Sequence, residues 1–580
     1  MGRVTISEET MRRLLTGLFV LSLFALAVRG HAQEPASFDV LITGARVLDG
    51  TGNPWIYADV GIRDGMIAAV GDLADAPAER VIDARGKVVA PGFIDLHSHG
   101  APGLAAPDER RRAAANLVTQ GVTTVVVNQD GRSPVDIGAQ RSLLQDLRIG
   151  PNAILMVGHN SICAEAMGND FQRLATPEEV QRMRDLARAG MEAGAFGLSA
   201  GLEYVPGRWS NTDEVVAVVE EIVPYGGVFI EHERSSGTSP MWWRPSQDEP
   251  GPPTMLNSIQ ETIEIGERTG ATVVATHIKA RGANYWGSSG AIIAAIRRAR
   301  DRGVAIFADQ YPYATSGSDG NVSLIPEWAV GADDEPPGGG PGAAPDYAEA
   351  LRATLADPEG ARMLRQDIAY ETEFRGGAEN IVVFDYPDRT LIGKSVAEIA
   401  GERGISTVEA AIQLQLEGMS DRRGGGRLRS FSFSEEDIEN FSAQPWVATA
   451  SDGGISLPED GPAIHARYYG TFPRKIRQYA LDRGVLSVEN AIRSMTTLPA
   501  QILGLRNRGQ VREGFVADVV VLDLEQIRDM ATFTDPHQYA TGIDYVLVNG
   551  SFVVDEGAPT GMLPGIVITP TEGRRPPATD

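Results

Sequence analysis

Eight apolar segments, each ending in polar or charged residues, recur through the middle of this 580-residue chain: VVAPGFIDLHSH, VTTVVVNQD, AILMVGHN, GAFGLSAG, GGVFIEHE, ATVVATHIK, GVAIFADQY and WVATASDGG. They are short, mostly rich in β-branched residues and punctuated by Gly or Pro, so they read as buried strands. Helical stretches such as ERRRAAANLVTQG and PEEVQRMRDLARAGMEAG separate them. Strands apolar on both faces and alternating with helices belong to a parallel sheet, and eight such units make an α/β chain of the (β/α)8, TIM-like barrel type. The polar residues then gather at the C-terminal strand ends, the rim on which such barrels carry their sites.

The two ends of the chain have another texture. Residues 38–90 hold short alternating segments (FDVLITGARVLDG, ADVGIRDGMIAAVG), and the pattern returns in ADVVVLDL and IDYVLVNGSFVVDEG. This predicts a small β-sandwich built from residues 38–90 and 505–568 around a barrel over residues 91–504. One barrel connection is abnormal: about 135 residues, including the Pro/Gly-rich DEPPGGGPGAAP, separate ADQYPY from WVATASDGG. An insertion of that size, placed at residues 320–445, is expected to be a lid or subdomain, not a structureless loop.

Charge excludes several classes of partner. Fifty-two basic against seventy-seven acidic residues give a formal charge of −25, which excludes a nucleic-acid groove or an anionic membrane patch and leaves a small molecule as partner. At the N-terminus, Arg12 and Arg13 precede LLTGLFVLSLFALAV, and small residues follow up to Ala32. This is the pattern of a signal peptide over residues 1–32, so the expected location is periplasmic or secreted, free of the membrane after cleavage. The alternative, a retained anchor, requires a longer apolar core than this one. Cys163 is the single cysteine, so no intramolecular disulfide forms.

The first barrel segment ends in the pair His97 and His99. Residues i and i+2 of a strand share a side, so two imidazoles face one space. Of the eight histidines, His31 falls in the leader and four stand at strand ends: His97, His99, His232 and His277. Neutral imidazoles converging on one rim point to zinc. Asp452 ends the eighth strand beside the first, where a carboxylate takes the proton of a metal-activated water and passes it to a leaving group. Its alternative is a helix N-cap or turn aspartate before Gly453.

With these residues in place, the chain resembles the amidohydrolase superfamily, and within it the D-aminoacylase (N-acyl-D-amino-acid deacylase) family. The stretches that carry the resemblance are VVAPGFIDLHSH, GVTTVVV, GLSAGLEYVPG, HERSSG, THIKARG, DQYPY, SDGG, HARYYGTFPR, MTTLPAQILGLRNRG and DPHQYATGIDYVLVNG, spread over roughly residues 38–568. The resemblance implies that His97, His99, His232 and His277 bind one or two zinc ions, or another divalent metal, and that Asp452 is catalytic. It implies that Lys279 helps hold the substrate, with Tyr204 and Tyr313 in the pocket and Arg467 or Arg474 facing a substrate carboxylate.

The chain departs from the family pattern in two places. The family reads roughly Gly-Asn-Cys-Gly after the second strand, and its cysteine binds or bridges metal; here the text is NQDG, with Asp130 at that position. Asp130 is expected to be a metal ligand, the alternative being a cap on the loop before Gly131. GAFGLSAGLEYVPG has no lysine, so the carbamylated bridging lysine of other amidohydrolases is lacking, and Glu203 is a distant substitute. Cys163 reads as a buried small residue. The expected reaction is hydrolysis of N-acyl-D-amino acids. The alternatives are a dipeptidase or cyclic-amide hydrolase on the same scaffold, and a binding protein that keeps the barrel without catalysis.

Overall fold

The computed structural model describes residues 37–235, 254–331 and 346–570. The expected leader and the DEPPGGGPGAAP stretch lie outside the described residues.

Eight strands form the barrel: Phe93–Asp95, Val122–Val127, Asn152–Leu155 continued by Val157–Gly158, Gly197–Gly201, Val228–His232, Thr272–Ala275, Ile306–Gln310 and Val447–Thr449. They pair in sequence order as two parallel ladders that meet at the third strand, interrupted at Met156. Between the eighth and first strands the contact lies just past the strand ends. Ser98 bridges Gly453, Asp452 N donates to His97 O at 2.9 Å, and His99 N donates to Gly453 O at 2.8 Å. The join therefore sits on the rim, between the two segments that carry His97, His99 and Asp452.

The pleat explains why these strands read as continuous apolar runs. Ile94, Val126, Ile154, Phe196, Ile230, Val274 and Ala448 fill the barrel interior, closed by Leu498, Ile502 and Leu503 of a helix at Thr497–Leu503. Val125, Val127, Leu155, Leu198, Ala200, Phe229 and Val273 point the other way and pack on helix residues such as Met183, Ala187, Ile259 and Ile296. Both faces are dry, so alternation disappears from the sequence. The helix Pro177–Glu192 starts with proline in its first turn. A reciprocal cap precedes it, with Thr176 accepting from Glu179 N at 3.3 Å and Glu179 accepting from Thr176 N at 2.8 Å.

ERRRAAANLVTQG is two short helices, Glu109–Arg112 and Ala115–Val118, broken at Ala114 with φ +50°. The second is turned toward the eighth-strand loop, where Asn116 Nδ2 donates to Gly454 O and Tyr468 O, both at 2.9 Å. Strands from both chain ends pair in one nine-stranded sheet. It curls so that Val40, Ile42, Val60, Ile62, Val519, Val521 and Leu547 share a core, while Val520, Leu522, Val546 and Val548 face the barrel side.

The long connection between the seventh and eighth strands has its own core. Helices Tyr347–Ala356, Pro358–Phe374, Val396–Arg403 and Thr407–Glu417 surround a two-stranded antiparallel pair, Ile381–Asp385 with Arg427–Ser430. Leu351, Leu364, Ile368, Ile381, Val383, Ile399 and Leu428 are buried together there. It meets the loop after the sixth barrel strand, where Arg281 bridges Phe433 and Gly282 N donates to Ser432 O at 3.0 Å. Among the described residues, no helix is long and apolar enough to cross a membrane.

Candidate metal centre and active site

The ends of the first, second, fifth, sixth and eighth strands bring His97, His99, Asp130, His232, His277 and Asp452 into one cluster. Nε2 of His97 lies 3.3 Å from Nε2 of His99, 3.4 Å from Asp130 Oδ1 and 3.5 Å from Asp452 Oδ1. Nε2 of His99 is 3.4 Å from Asp130 Oδ2 and 3.0 Å from Asp452 Oδ1. On the other side, Asp130 Oδ1 lies 3.5 Å from Nδ1 of His232 and 3.8 Å from Nε2 of His277, and these two nitrogens are 2.7 Å apart. Asp130 thus stands between two pairs of imidazoles, one oxygen shared by three of them.

Asp130, His277 and Asp452 all have left-handed backbone, with φ of +57°, +39° and +46°. Such conformations cost roughly 1–3 kcal/mol in a non-glycine residue and persist where the surroundings fix them. Here the fixing contacts are visible. His277 N donates to Asp309 Oδ1 at 2.6 Å, and Asp452 N donates to His97 O. Asp309 also accepts from Thr276 Oγ1 at 2.6 Å, and that hydroxyl lies 2.6 Å from Nδ1 of His97, leaving Nε2 of His97 toward the cluster. Asp95 accepts from Ser451 N at 2.9 Å and from the Ser451 hydroxyl, so it ties the first strand to the eighth. Burial pushes the carboxyls of Asp95 and Asp309 up to about 7 and about 8.

The residues present fit a metal. His97, His99 and Asp452 form one group of donors, and His97, Asp130 and His277 another, with ligand atoms within 4.8 Å of one another in each. Oδ1 of Asp130 is buried and accepts no hydrogen bond, although four imidazoles surround its carboxylate. A cap on the loop would have spent that oxygen on a backbone N–H. Imidazole and carboxylate together suit zinc. Burial disfavours the charged form of Asp130, but His232 and His97 outweigh it and hold the carboxyl well below its ordinary range. Burial likewise opposes ionisation of Asp452, and Arg467, with Nη1 2.9 Å from Oδ2, outweighs it.

A cavity of about 690 Å³ opens onto this cluster, lined by Ser98, His99, Gln129, Asp130, Arg132 and Tyr204 among others. Of the two ligand candidates that line it, His99 is the more accessible, its side chain 35% exposed against 11% for Asp130. The Tyr204 ring lies against His232, with centroids 4.2 Å apart. Lys279 is buried behind His277, its Nζ 2.6 Å from Nδ1 of that imidazole. Arg467 reaches Asp452 and lies over the Tyr311 ring at 4.7 Å.

Tyr313 and Arg474 are not brought to the cluster. The Tyr313 hydroxyl donates to Ala466 O at 3.4 Å, and Arg474 stacks on its ring while pairing with Asp529 at 3.0 Å. Both tyrosines of DQYPY pack on His465, but Arg467 lies over the Tyr311 ring and Arg474 over the Tyr313 ring. Tyr311, which the sequence did not single out, has a buried hydroxyl without a hydrogen-bond partner beside Arg467. Glu203, with Oε2 2.9 Å from Nε2 of His232, stands behind that imidazole and not between the metal donors. Cys163 is buried in the outer core, where burial pushes its thiol up to about 12.

Known proteins resemble this chain over most of its length. Residues 80–214 and 382–554 match the sequence profile of the amidohydrolase family. D-aminoacylase of Alcaligenes xylosoxydans xylosoxydans is 33% identical over 562 residues, covering 93% of this chain and 99% of that one. N-acyl-D-glutamate deacylase of the same organism is 32% identical, covering 91% and 96%. A crystal structure of D-aminoacylase superposes with a TM-score of 0.69 at 30% identity, covering 93% of this chain and all of that one. The N-acyl-D-glutamate deacylase of Bordetella bronchiseptica, solved with zinc and a phosphonate mimic of the tetrahedral intermediate, gives 0.69 at 28% identity, covering 92% of this chain and all of that one.

Proposed function

This chain belongs to the amidohydrolase family, and from that premise we propose that it hydrolyses N-acyl-D-amino acids to a carboxylic acid and a free D-amino acid, using a metal-activated water. The observation that carries the reading is the unsatisfied Asp130 oxygen among four strand-end imidazoles, with Asp452 on the same cluster. His97, His99, Asp130, His232 and His277 would hold one or two zinc ions. A divalent metal in that cluster supplies Lewis acidity toward the amide carbonyl and lowers the pKa of a water to about 7.

The remaining work falls to side chains of this chain. Asp452 Oδ1 faces Nε2 of both His97 and His99, so it stands where the attacking water must be held. It accepts the water proton and then delivers it to the leaving nitrogen as the C–N bond breaks. Arg467 keeps Asp452 ionised for the first of these steps and orients it through Oδ2. Arg467, on Asp452, and the unpartnered hydroxyl of Tyr311 beneath it are the buried polar groups that would meet a substrate carboxylate. The cavity beside His99 and Tyr204 has room for a small acyl amino acid.

The experiment is a hydrolysis screen of zinc-loaded protein over paired D- and L-N-acetyl amino acids, dipeptides and hydantoins. Turnover confined to the D-N-acyl compounds is expected; turnover of hydantoins or dipeptides alone would overturn the substrate assignment. The leader pattern supports export, with mature protein beginning after Ala32. N-terminal sequencing of protein from its native cells checks this, and an intact Met1 contradicts it.

A further inference from the structure

The described barrel carries a carboxylate that the chemistry above does not use. Glu203 lies two residues beyond the fourth strand, Gly197–Gly201, and spans two neighbouring strand ends. Its Oε2 is 2.9 Å from Nε2 of His232, at the end of the fifth strand, and its Oε1 accepts from Arg281 Nη2 at 2.8 Å, in the loop after the sixth. Both oxygens are therefore engaged, and the imidazole of His232 stands between Glu203 and the metal donors. We propose that Glu203, anchored by Arg281, is a positioning residue that presents His232 to the metal through Nδ1. The proposal rests on the metal-centre reading and adds which residue fixes that ligand and through which nitrogen.

The argument is one of proton placement. A neutral imidazole carries one N–H, and the hydrogen bond made by one nitrogen decides which nitrogen keeps a lone pair for a metal. A carboxylate at Nε2 holds the proton there, so Nδ1 is bare. Nδ1 is also the atom that faces the cluster, 3.5 Å from Asp130 Oδ1 and 2.7 Å from Nε2 of His277. The other tautomer would set a lone pair against the Glu203 carboxylate and turn an N–H toward the metal donors, and a flipped ring would put carbon at both places.

The ring has little freedom to flip. Tyr204 lies on one side at 4.2 Å between centroids, and the His277 ring stands nearly perpendicular, at 87°, with centroids 4.4 Å apart. Glu203 is itself held from both sides, by Arg281 Nη2 on Oε1 and by Nε2 of His232 on Oε2. Asp309 does the corresponding work for His97 through Thr276, so two of the imidazoles are oriented by buried acids, one in the seventh strand and one just past the fourth.

The test uses full-length protein. Glu203→Gln removes the charge, and Glu203→Gln with Arg281→Met also removes the arginine that would be left buried without its counter-charge. Zinc affinity is measured by competition with a chelator, and the visible spectrum of the cobalt-substituted protein reports ligand geometry independently of turnover. Loss of an outer hydrogen-bond partner of a ligand weakens metal affinity by roughly 10–100-fold, so a drop in that range with an altered cobalt spectrum is expected.

Affinity within about twofold of wild type in a folded variant, with an unchanged spectrum, overturns the proposal. A zinc-bound structure of the unaltered chain needs no variant: Nδ1 of His232 on the ion supports the assignment, and Nε2 on the ion overturns it. A wild-type protein that takes up no zinc refutes the metal centre itself, and this proposal with it.

Discussion

Asp452→Asn separates proton transfer from metal binding at almost constant side-chain volume. In the structure, Asp452 is buried, with Oδ1 3.0 Å from Nε2 of His99 and Oδ2 2.9 Å from Arg467. Asparagine keeps an amide oxygen toward Arg467, but it can neither take the water proton nor return it to the leaving nitrogen. General acid–base groups contribute roughly 10²–10⁴-fold, or about 2.7–5.5 kcal/mol at about 1.36 kcal/mol per decade. The upper half of that range applies here, because one carboxylate serves both the attack and the departure. Arg467 is buried and loses its charged partner, which costs about 1–3 kcal/mol of stability and lowers the Tm. The assay is release of free amine from an N-acetyl-D-amino acid, run beside metal analysis and a thermal melt. Full metal content with kcat down at least about a thousandfold is expected. A metal-replete variant with kcat within about tenfold of wild type would remove Asp452 from the mechanism.

Three further outcomes follow from named contacts. Tyr311→Phe deletes a hydroxyl that bonds nothing in the fold, so it should leave Tm unchanged while lowering kcat/KM about tenfold, whereas Tyr313→Phe should leave kcat/KM near wild type; equal effects in steady-state kinetics would contradict the placement. Asp130→Cys exchanges a hard oxygen for a soft sulfur donor, so the preference for zinc over manganese should rise, as read from activity and content in metal-exchanged protein; an unchanged preference would count against Asp130 as a ligand. Lys475 is 1% exposed, and burial pushes its ammonium down to about 7. The unfolded chain therefore binds more protons between about pH 7 and pH 10.4, so this group's penalty is full below pH 7 and fades as pH rises. Lys475→Met should raise stability by at most about 4 kcal/mol at pH 7 and by little near pH 10, and a Tm gain independent of pH would contradict this.

The eight barrel strands were legible because both of their faces are dry, which leaves uninterrupted apolar runs such as Val122–Val127. His97 and His99 were legible because a period-two spacing at a strand end has one geometric consequence. The groups that orient the ligands were not legible. Thr276 serves His97 across 179 residues of chain, and Asp95 reaches Ser451 across 356, so no local pattern announces either. Tyr311 and Tyr313 are equivalent in DQYPY, and only the fold puts Arg467 over one ring and Arg474 over the other. The left-handed turns at Asp130, His277 and Asp452 are likewise silent, since none of these positions is a glycine. The sheet at the chain ends read correctly as alternating strands, but that it forms one curled nine-stranded sheet depends on the pairing of Val88–Pro91 with Val519–Leu522.

A zinc-bound crystal structure, with ions located by anomalous scattering at the zinc edge, tests the central claim most directly. The account predicts an ion among His97, Asp130, His232 and His277, with an Asp130 oxygen about 2.0–2.2 Å from it. No ion among these four residues, or Asp130 oxygens beyond about 4 Å from every bound zinc, would contradict it.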